Sequence, residues 1–321
     1  MTTPSASQNT STVPTVFVMM ATYNGSKYLR EQIDSVLAQN GVDVTLRICD
    51  DQSPDNTFEI CQEYAAKDPQ VIATRNEKNL GVGWNFMQMV YDDESLGYDY
   101  YAFCDQDDIW LPDKLSRAVE RIREEAADEP ALYYSDVVDF DENAEWNELE
   151  SFIPCEEHSM TILFVNWASG CTMVFNSAFF NLFRSYKPET LPRIHDAWAH
   201  LVARYCATVV PDYTYSGIRR RITGNNAVGT LKDHHKSVFG ALQDASNLLY
   251  KPERAMTVAA TDLVLGFGQY IKPERINELE RFLSYHDSLP ARIDAAVNFD
   301  YYRPTLRGKM LMMLRILLGR I

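Results

Sequence analysis

The chain has 321 residues, of which 46% are hydrophobic and 23% are charged. This composition excludes disordered and fibrous proteins, and its length allows one large domain or two. The formal net charge of -15 argues against a protein that binds nucleic-acid backbones. Residues 1–14 are rich in Ser and Thr and lack a basic start and an apolar segment. They therefore predict a flexible terminus and no secretion signal, and we expect a cytoplasmic protein.

The cysteines are scattered and form no Cys-x-x-Cys pair. Several lie within apolar stretches, which favours reduced, buried thiols over disulfides or a zinc site. The six positions are Cys49, Cys61, Cys104, Cys155, Cys171 and Cys206.

Short apolar strands alternate with amphipathic helices through the first half of the chain. This alternation predicts an α/β fold with a mostly parallel, doubly wound sheet flanked by helices. Ligands of such sheets bind at the carboxyl ends of the strands. The predicted strands are 16–21, 44–49, 71–74 and 98–104, and the predicted helices are 26–40, a segment starting at 53, and 81–91.

A polar cluster follows each predicted strand. Thr22–Gly25, Asp50–Ser53, Arg75–Gly81 and Asp105–Asp108 would therefore meet at one edge of the sheet. Neither a Gly-x-x-x-x-Gly-Lys-Ser/Thr loop nor a Gly-x-Gly-x-x-Gly motif occurs in the sequence, so the usual phosphate-binding loops are not predicted.

Three carboxylates follow the fourth, aromatic strand: Asp105, Asp107 and Asp108. Neighbouring negative charges repel, so this arrangement favours a hard divalent cation between the side chains. The alternative is a solvated turn or a set of helix-capping carboxylates.

These motifs resemble the inverting family 2 glycosyltransferases, which have the GT-A fold. Within that family the sequence is most similar to bacterial rhamnosyltransferases that build cell-wall and surface polysaccharides. The resemblance covers about residues 15–230. The motifs that carry it are Ala21–Gly25, Asp50–Asp55, Asn79–Gly81, Cys104–Trp110, Tyr134–Asp136, Gly170–Met173, His195–Trp198 and Gly224–Asn226.

The resemblance implies a nucleotide-sugar site and a metal site. Asp51 would accept the N3 proton of thymine or uracil, and Asp105 would lie near the ribose. Asp107, the second aspartate of the Asp-x-Asp (DXD) motif, would bind Mg²⁺ or Mn²⁺, which neutralises the leaving diphosphate. The complete set of implied nucleotide-sugar ligands is Thr22, Tyr23, Asn24, Asp51, Asn79, Gly81 and Asp105.

The resemblance also assigns the catalytic base to Asp196. Helical periodicity places Asp196 in the first turn of an amphipathic helix, where a structural carboxylate favoured by the helix dipole is the alternative. His195 is a second candidate, for orientation or for proton transfer. The implied acceptor or pocket residues are Asp136, Gly170, Cys171 and Trp198.

One departure from the family pattern concerns the metal site. Thr223 stands where relatives carry a His that is a plausible ligand for the metal or the diphosphate. The metal would then be held by Asp107, phosphates and water, or His234 or His235 would substitute. The arginines at 219–221 could neutralise the diphosphate, or they could alternate along an exposed strand.

The C-terminal region, 231–321, is predicted to be helical. Its last segment, 303–321, combines Lys and Arg with an apolar face and contains no acidic residue. Such a helix can lie on anionic lipid, and its apolar run is too short to span a bilayer. Packing on the protein, or on a second copy in a homodimer, is the alternative.

The resemblance therefore implies an inverting, metal-dependent glycosyltransferase, with dTDP-L-rhamnose as the expected donor and a polysaccharide or lipid-linked glycan as the acceptor. UDP-hexoses and UDP-N-acetylhexosamines are alternative donors. A non-catalytic nucleotide-sugar-binding subunit is the alternative from another class. A nucleotidyltransferase is disfavoured because the loop after the first strand, Thr22–Gly25, lacks basic residues.

Overall fold

A computed structural model describes residues 13–126, 129–140, 162–163, 166–223, 255–298 and 306–320. Within these residues, ten strands form two sheets. The strands are β1 (Thr15–Thr22), β2 (Asp43–Asp50), β3 (Val71–Arg75), β4 (Tyr100–Cys104), β5 (Ile109–Trp110), β6 (Ala131–Ser135), β7 (Val138–Phe140), β8 (Val174–Asn176), β9 (Thr208–Asp212) and β10 (Ile218–Arg221).

The larger sheet has the strand order β3-β2-β1-β4-β8-β6-β9. All of its strand pairs are parallel except those of β8, which runs antiparallel to both β4 and β6. The smaller sheet has the order β5-β10-β7. The predicted mostly parallel sheet is confirmed, whereas the smaller sheet had no counterpart in the prediction.

The helices of the described residues surround the larger sheet. α1, α2 and α3 follow the first three strands, as the alternation predicted. The helices are α1 (Leu29–Leu37), α2 (Thr57–Lys67), α3 (Val82–Tyr91), α4 (Lys114–Ala126), α5 (Ser177–Arg184), α6 (His195–Cys206), α7 (Ala255–Phe267), α8 (Pro273–Leu283), α9 (Leu289–Asn298) and α10 (Leu306–Leu317).

The central strand β1 is apolar on both faces because helices cover both faces of the sheet. Val16 and Val18 pack into the core formed with α1, α2 and α4. Phe17 and Met19 point the other way, into the core formed with α3, α5 and α6. This two-sided burial explains the uninterrupted apolar run in the sequence.

The C-terminal helices share the second of these cores. Met256, Leu263, Phe282 and Ile316 are buried in the same cluster as α3, α5 and α6. The predicted helical C-terminal region is confirmed for the described residues, and it packs directly on the sheet-bearing part of the chain. The predicted boundary at 230/231 lies outside the described residues.

The described cysteines carry free thiols, and all except Cys206 are buried. Cys155 lies outside the described residues. Among the helices that the structure describes, none has the length and apolar character required to cross a membrane.

Candidate functional site

A cleft of about 650 Å³ lies at the carboxyl ends of β1, β2 and β4. It brings together most of the residues predicted for donor, metal and base. The predicted residues that line it are Thr22, Tyr23, Asp51, Asn79, Gly81, Asp105, Asp107, Gly170, Cys171, His195 and Asp196.

Three predicted residues lie outside this lining. Asn24 adopts a left-handed backbone conformation, with φ of 52°, and its N–H donates to Ser53 Oγ at 2.9 Å. Asp136 follows β6 and is half-buried. Trp198 is fully buried, and its ring centroid lies 6.0 Å from that of Phe267 on α7. Trp198 therefore packs in the core, because it lies on the face of α6 that meets the C-terminal helices.

Asp51 holds the loop after β3 against the end of β2. Its Oδ1 accepts the N–H of Leu80 and its Oδ2 accepts the N–H of Gly81, both at 2.8 Å. Asn79 Nδ2 donates to the Asp51 carbonyl oxygen at 2.9 Å. Gly81 has φ of 77°, a conformation that glycine adopts without strain. Asp51 is 98% buried and lines the cleft.

The amide of Gln106 connects the segment Asp105–Asp108, called the acidic segment below, to the loop after β1. Its Oε1 accepts the N–H of Tyr23, and its Nε2 donates to the Tyr23 carbonyl oxygen, both at 2.9 Å. Tyr23 itself is half-exposed at the mouth of the cleft. The two predicted motifs are thus joined by a pair of hydrogen bonds.

The cleft carboxylates repel one another. Partial burial, together with the nearby charges of Asp107 and Asp196, raises the pKa of Asp105 to about 7. Burial also raises the pKa of Asp107. A bound cation or a cationic substrate group would favour the ionised forms of these side chains.

Asp105, Asp108 and Cys171 form a potential metal-binding group, with ligand atoms all within 4.8 Å of one another. Asp108 Oδ2 is buried and lacks a hydrogen-bond partner among the described residues. Two carboxylates suit Mg²⁺ or Mn²⁺, whereas a thiol is a soft ligand that these ions do not prefer. The donor set therefore fits a hard cation held mainly by aspartate oxygens. Asp107 lines the same cleft but lies outside this group.

Asp196 lies at the start of α6 with its carboxylate fixed by backbone amides. Oδ2 accepts the N–H of Gly170 at 3.1 Å, and Oδ1 accepts the N–H of Ala197 at 2.6 Å. Burial raises the pKa of Asp196, and these hydrogen bonds partly offset the increase. A Cβ at position 170 would lie 2.9 Å from His195 Nε2 and 3.0 Å from Asp196 Cβ. Only glycine permits this close approach.

His195 packs between aromatic rings. Its imidazole stacks on Phe86 at a centroid distance of 3.9 Å and meets Phe103 edge-on at 4.9 Å. Burial lowers the pKa of His195 to about 3, so the imidazole is neutral and weakly basic at neutral pH. Both of its ring nitrogens are buried and lack a hydrogen-bond partner among the described residues.

The arginines of β10 have different environments. Arg220 lines the cleft and makes two hydrogen bonds to the carboxylate of Asp139, at 2.7 and 3.0 Å. Arg221 is buried, and its Nε donates to the Asp107 carbonyl oxygen at 3.1 Å. The exposed-strand interpretation is therefore wrong for these two residues. Positions 224–226, His234 and His235 lie outside the described residues.

Several lining residues were not predicted from the sequence. Gln106 lies inside the acidic motif, and Arg220 belongs to a run whose role was open. Trp167, which precedes Gly170, does not belong to a stretch with helical or strand periodicity. The unpredicted lining residues include Gln52, Val82, Asn85, Gln106, Asn166, Trp167, Ser169, Ile194 and Arg220.

The fold and the cleft define an α/β protein of the GT-A class, with an acidic ligand site at the strand ends. Residues 17–183, more than half of the chain, match the glycosyl transferase family 2 domain. The chain belongs to glycosyl transferase family 2.

Named relatives match over part of their length. The dTDP-rhamnosyl transferase RfbG of Shigella flexneri is 42% identical over 103 residues, which cover 32% of this chain and 36% of that protein. The uncharacterized glycosyltransferase MJ1057 of Methanocaldococcus jannaschii is 35% identical over 143 residues, 44% of this chain and 47% of that protein. The chain therefore spans less than half the length of these relatives.

Solved structures of S. aureus TarS share the fold. TarS residues 1–349 in complex with UDP superpose with a TM-score of 0.55 at 15% identity, covering 95% of this chain and 80% of that one. The complex with UDP-GlcNAc gives a TM-score of 0.54 at 14% identity, covering 94% and 81%.

Proposed function

We propose that this chain is an inverting, metal-dependent glycosyltransferase that moves L-rhamnose from dTDP-L-rhamnose to a glycan or lipid-linked glycan during surface polysaccharide synthesis. The observation that carries the proposal is the position of Asp196 in the same cleft as Asp105 and Asp107. The similarity to RfbG supports the choice of donor.

Asp196 is the group that would accept the proton of the acceptor hydroxyl. Its raised pKa makes the carboxylate a stronger base than an exposed aspartate. The amides of Gly170 and Ala197 hold one lone pair on each oxygen, so the orientation is fixed while further lone pairs remain for the hydroxyl. Attack from this side, with the diphosphate leaving on the other, would invert the anomeric carbon.

The acidic segment and Arg220 would hold the diphosphate end of the donor. Asp105 and Asp108 are candidates to bind Mg²⁺ or Mn²⁺ together with phosphate oxygens, and Asp107 is the candidate implied by the family resemblance. The chemistry that such a cation supplies is neutralisation of the charge that develops on the leaving diphosphate. Arg220 adds a positive charge on the same wall.

Other donors and a non-catalytic role are the alternatives. The TarS complexes contain UDP and UDP-GlcNAc, which keeps UDP-hexoses and UDP-N-acetylhexosamines among the donors to be tested. A binding subunit would not require a buried carboxylate with raised pKa next to the donor cleft. The environment of Asp196 therefore favours an enzyme.

We also infer peripheral contact with anionic membranes through an apolar surface on α9 and α10. α9 exposes three apolar side chains spaced four residues apart, and α10 exposes two, with a third exposed directly after its end. The charged residues of the segment 303–321 are all basic, although Arg315 is buried. Exposed apolar side chains next to basic charge are the combination that binds anionic lipid surfaces. The apolar surface consists of Leu289, Ile293, Val297, Met310, Leu314 and Leu318.

A donor screen tests the proposed reaction. Release of nucleoside diphosphate would be measured with dTDP-L-rhamnose, UDP-glucose, UDP-galactose and UDP-GlcNAc, with Mg²⁺, Mn²⁺ or EDTA. We expect dTDP-L-rhamnose to be the best donor and EDTA to abolish activity. Asp196→Asn should lower kcat by about 10²- to 10⁴-fold, the range typical for loss of a general base. Asp287→Asn, at an exposed position, is the control.

The outcomes separate the parts of the proposal. Preference for a UDP-sugar would contradict the proposed donor but would still support glycosyl transfer. Full activity in EDTA would contradict the proposed metal dependence. Full activity of Asp196→Asn would contradict the proposed role of Asp196 as the base. Binding of a nucleotide sugar without transfer or hydrolysis under any condition would favour the non-catalytic alternative.

A further inference from the structure

Trp167 is a cleft residue whose ring is held by a chain of hydroxyl groups. The side chain is half-buried and lines the cleft. Its Nε1 donates to the hydroxyl of Tyr134 at 3.0 Å, and that hydroxyl lies 2.8 Å from the hydroxyl of Tyr213. The polar edge of the indole is thereby satisfied inside the protein. The ring therefore has a fixed orientation before any ligand binds.

The neighbouring residue Asn166 is held in place as well. His200 Nδ1 lies 2.9 Å from Asn166 Oδ1, and Asn166 Nδ2 donates to the Ala168 carbonyl oxygen at 3.0 Å. Because Oδ1 can only accept, Nδ1 carries the hydrogen atom. The His200 ring also meets the Trp167 ring edge-on at 5.0 Å. Two independent contacts from α6 and β6 thus immobilise the segment that leads to Gly170.

The strand order places Trp167 on the side of the cleft away from the predicted nucleoside residues. All of those residues except Asp105 follow β1, β2 and β3, which occupy one half of the larger sheet. Tyr134 lies on β6 and Tyr213 follows β9, in the other half, with the acidic segment after β4 between the two halves. Gly170, which contacts the proposed base, lies three residues after Trp167.

We propose that Trp167 is the platform for the acceptor glycan, on which the apolar C–H face of a pyranose ring stacks. The inference rests on the proposed function, because the acceptor must approach from the side of the base. A rigid aromatic ring offers a large apolar area at low entropic cost. Its polar edge already has a partner, so the exposed part of the ring has no competing hydrogen bond to make.

A simpler explanation is that Trp167 only packs against the core. Core packing does not require a ring that lines a ligand cleft beside carboxylates and is anchored through its indole nitrogen. The two explanations differ in what removal of the ring changes. A platform affects the acceptor alone, whereas a packing residue affects stability and both substrates.

Saturation-transfer NMR with methyl α-L-rhamnoside, methyl β-D-glucoside and the methyl glycoside of β-D-N-acetylglucosamine tests the platform without requiring transfer. The glycosides are added to the full chain with the nucleoside diphosphate present. We expect C–H signals from one face of a glycoside in the wild type and in Trp167→Phe. We expect their loss in Trp167→Ala. Tyr134→Phe, which removes the anchoring hydroxyl, should weaken the signals while leaving the ring in place.

Kinetics with the best donor provide the second measurement. Trp167→Ala should raise the acceptor KM about tenfold or more, as removal of a central aromatic contact commonly does. Donor KM and donor hydrolysis in the absence of acceptor should stay unchanged. Equal changes in donor and acceptor KM, or unchanged glycoside signals in Trp167→Ala, would overturn the platform.

Failure of the proposed function gives a different pattern. If no nucleotide sugar binds or is hydrolysed by the wild type, the proposed function fails whatever the glycosides do. If donor hydrolysis is normal but no glycoside shows saturation transfer to the wild type, the platform alone fails. Should Trp167→Ala not fold, Trp167→Leu keeps an apolar side chain without a ring and decides the same question.

Discussion

Lys114 is a buried cation at an unfavourable position. It is the first residue of α4, where the helix dipole disfavours positive charge. Only 1% of the residue is exposed, and its Nζ has no hydrogen-bond partner among the described residues. Nζ lies 3.7 Å from the centroid of the Trp110 ring, and the stem packs against Gly217. We therefore predict that Lys114→Met stabilises the protein.

The size of the effect follows from the environment of the ammonium. Burial lowers the pKa of Lys114 from 10.5 to about 8. A difference of that size corresponds to roughly 3 kcal/mol of destabilisation of the charged form at pH 7. The cation–π contact with Trp110 stabilises the ammonium by about 1–2 kcal/mol. Methionine has a similar length and no charge, so Lys114→Met should raise the free energy of unfolding by about 1–2 kcal/mol.

The pH dependence gives the prediction a specific sign. The folded pKa of Lys114 lies below its unfolded value, so the unfolded chain binds more protons between about pH 8 and pH 10.5. The stability of the wild type should therefore gain a contribution as the pH rises through this window. The methionine variant lacks this contribution. Its advantage should be largest at pH 7 and shrink as the pH approaches 10.5.

Urea unfolding followed by circular dichroism at pH 7 and pH 9.5 measures both effects. Lys67→Met is the matched control, because Lys67 is exposed and forms an ion pair with Glu63 on the same helix. That control should change the free energy of unfolding by less than about 0.5 kcal/mol. A Lys114→Met variant that is less stable than the wild type by more than about 1 kcal/mol at pH 7 would refute the reasoning. It would mean that the ammonium balances the buried Asp108 carboxylate.

Two further predictions concern the base and the membrane surface. Gly170→Ala should lower kcat about a hundredfold, because a Cβ would displace Asp196, while Gly268→Ala, whose nearest neighbours lie 4.0 Å away, should keep full activity. Normal kinetics of Gly170→Ala would show that the close approach is unimportant. Serine at the three exposed apolar positions of α9 should abolish co-sedimentation with phosphatidylglycerol vesicles and leave donor hydrolysis intact. Retained vesicle binding would count against the membrane inference, and a change from dimer to monomer in size-exclusion chromatography would indicate a homodimer surface instead.

The elements with local apolar patterns were predictable from the sequence. β1, β2 and β4 end within one residue of the expected positions, because their mainly apolar runs are buried on both faces of the sheet. The helix that begins at His195 was also predicted, but its expected amphipathic character is wrong, because the sheet and the C-terminal helices bury ten of its twelve residues. Because the strands are parallel, their ends share one edge, and this placed the predicted motifs in one cleft.

Contacts between distant segments could not be predicted in this way. The antiparallel strand β8 lies between β4 and β6, and its three residues are too few to show a period. The anchoring of Trp167 joins residues from three separate elements. Trp198 belongs to the same sequence motif as Asp196, yet it lies on the opposite face of α6, where the C-terminal helices bury it. The position of Trp198 next to a site residue in the sequence therefore did not indicate the direction of the Trp198 side chain.

The acidic segment owes its shape to these distant contacts. Gln106 ties it to the loop after β1, while Arg221 holds it from β10 through the Asp107 carbonyl oxygen and the Asp108 carboxylate. Arg221 in turn pairs with Glu31 on α1 at 2.5 Å. These contacts therefore hold the carboxylates of Asp105 and Asp108 close together, and burial, followed by the charges of the neighbouring aspartates, raises the pKa of both side chains. Under the proposed function, a bound cation would relieve the repulsion between these carboxylates at a site whose backbone is already held in place by the hydrogen bonds of Gln106 and Arg221.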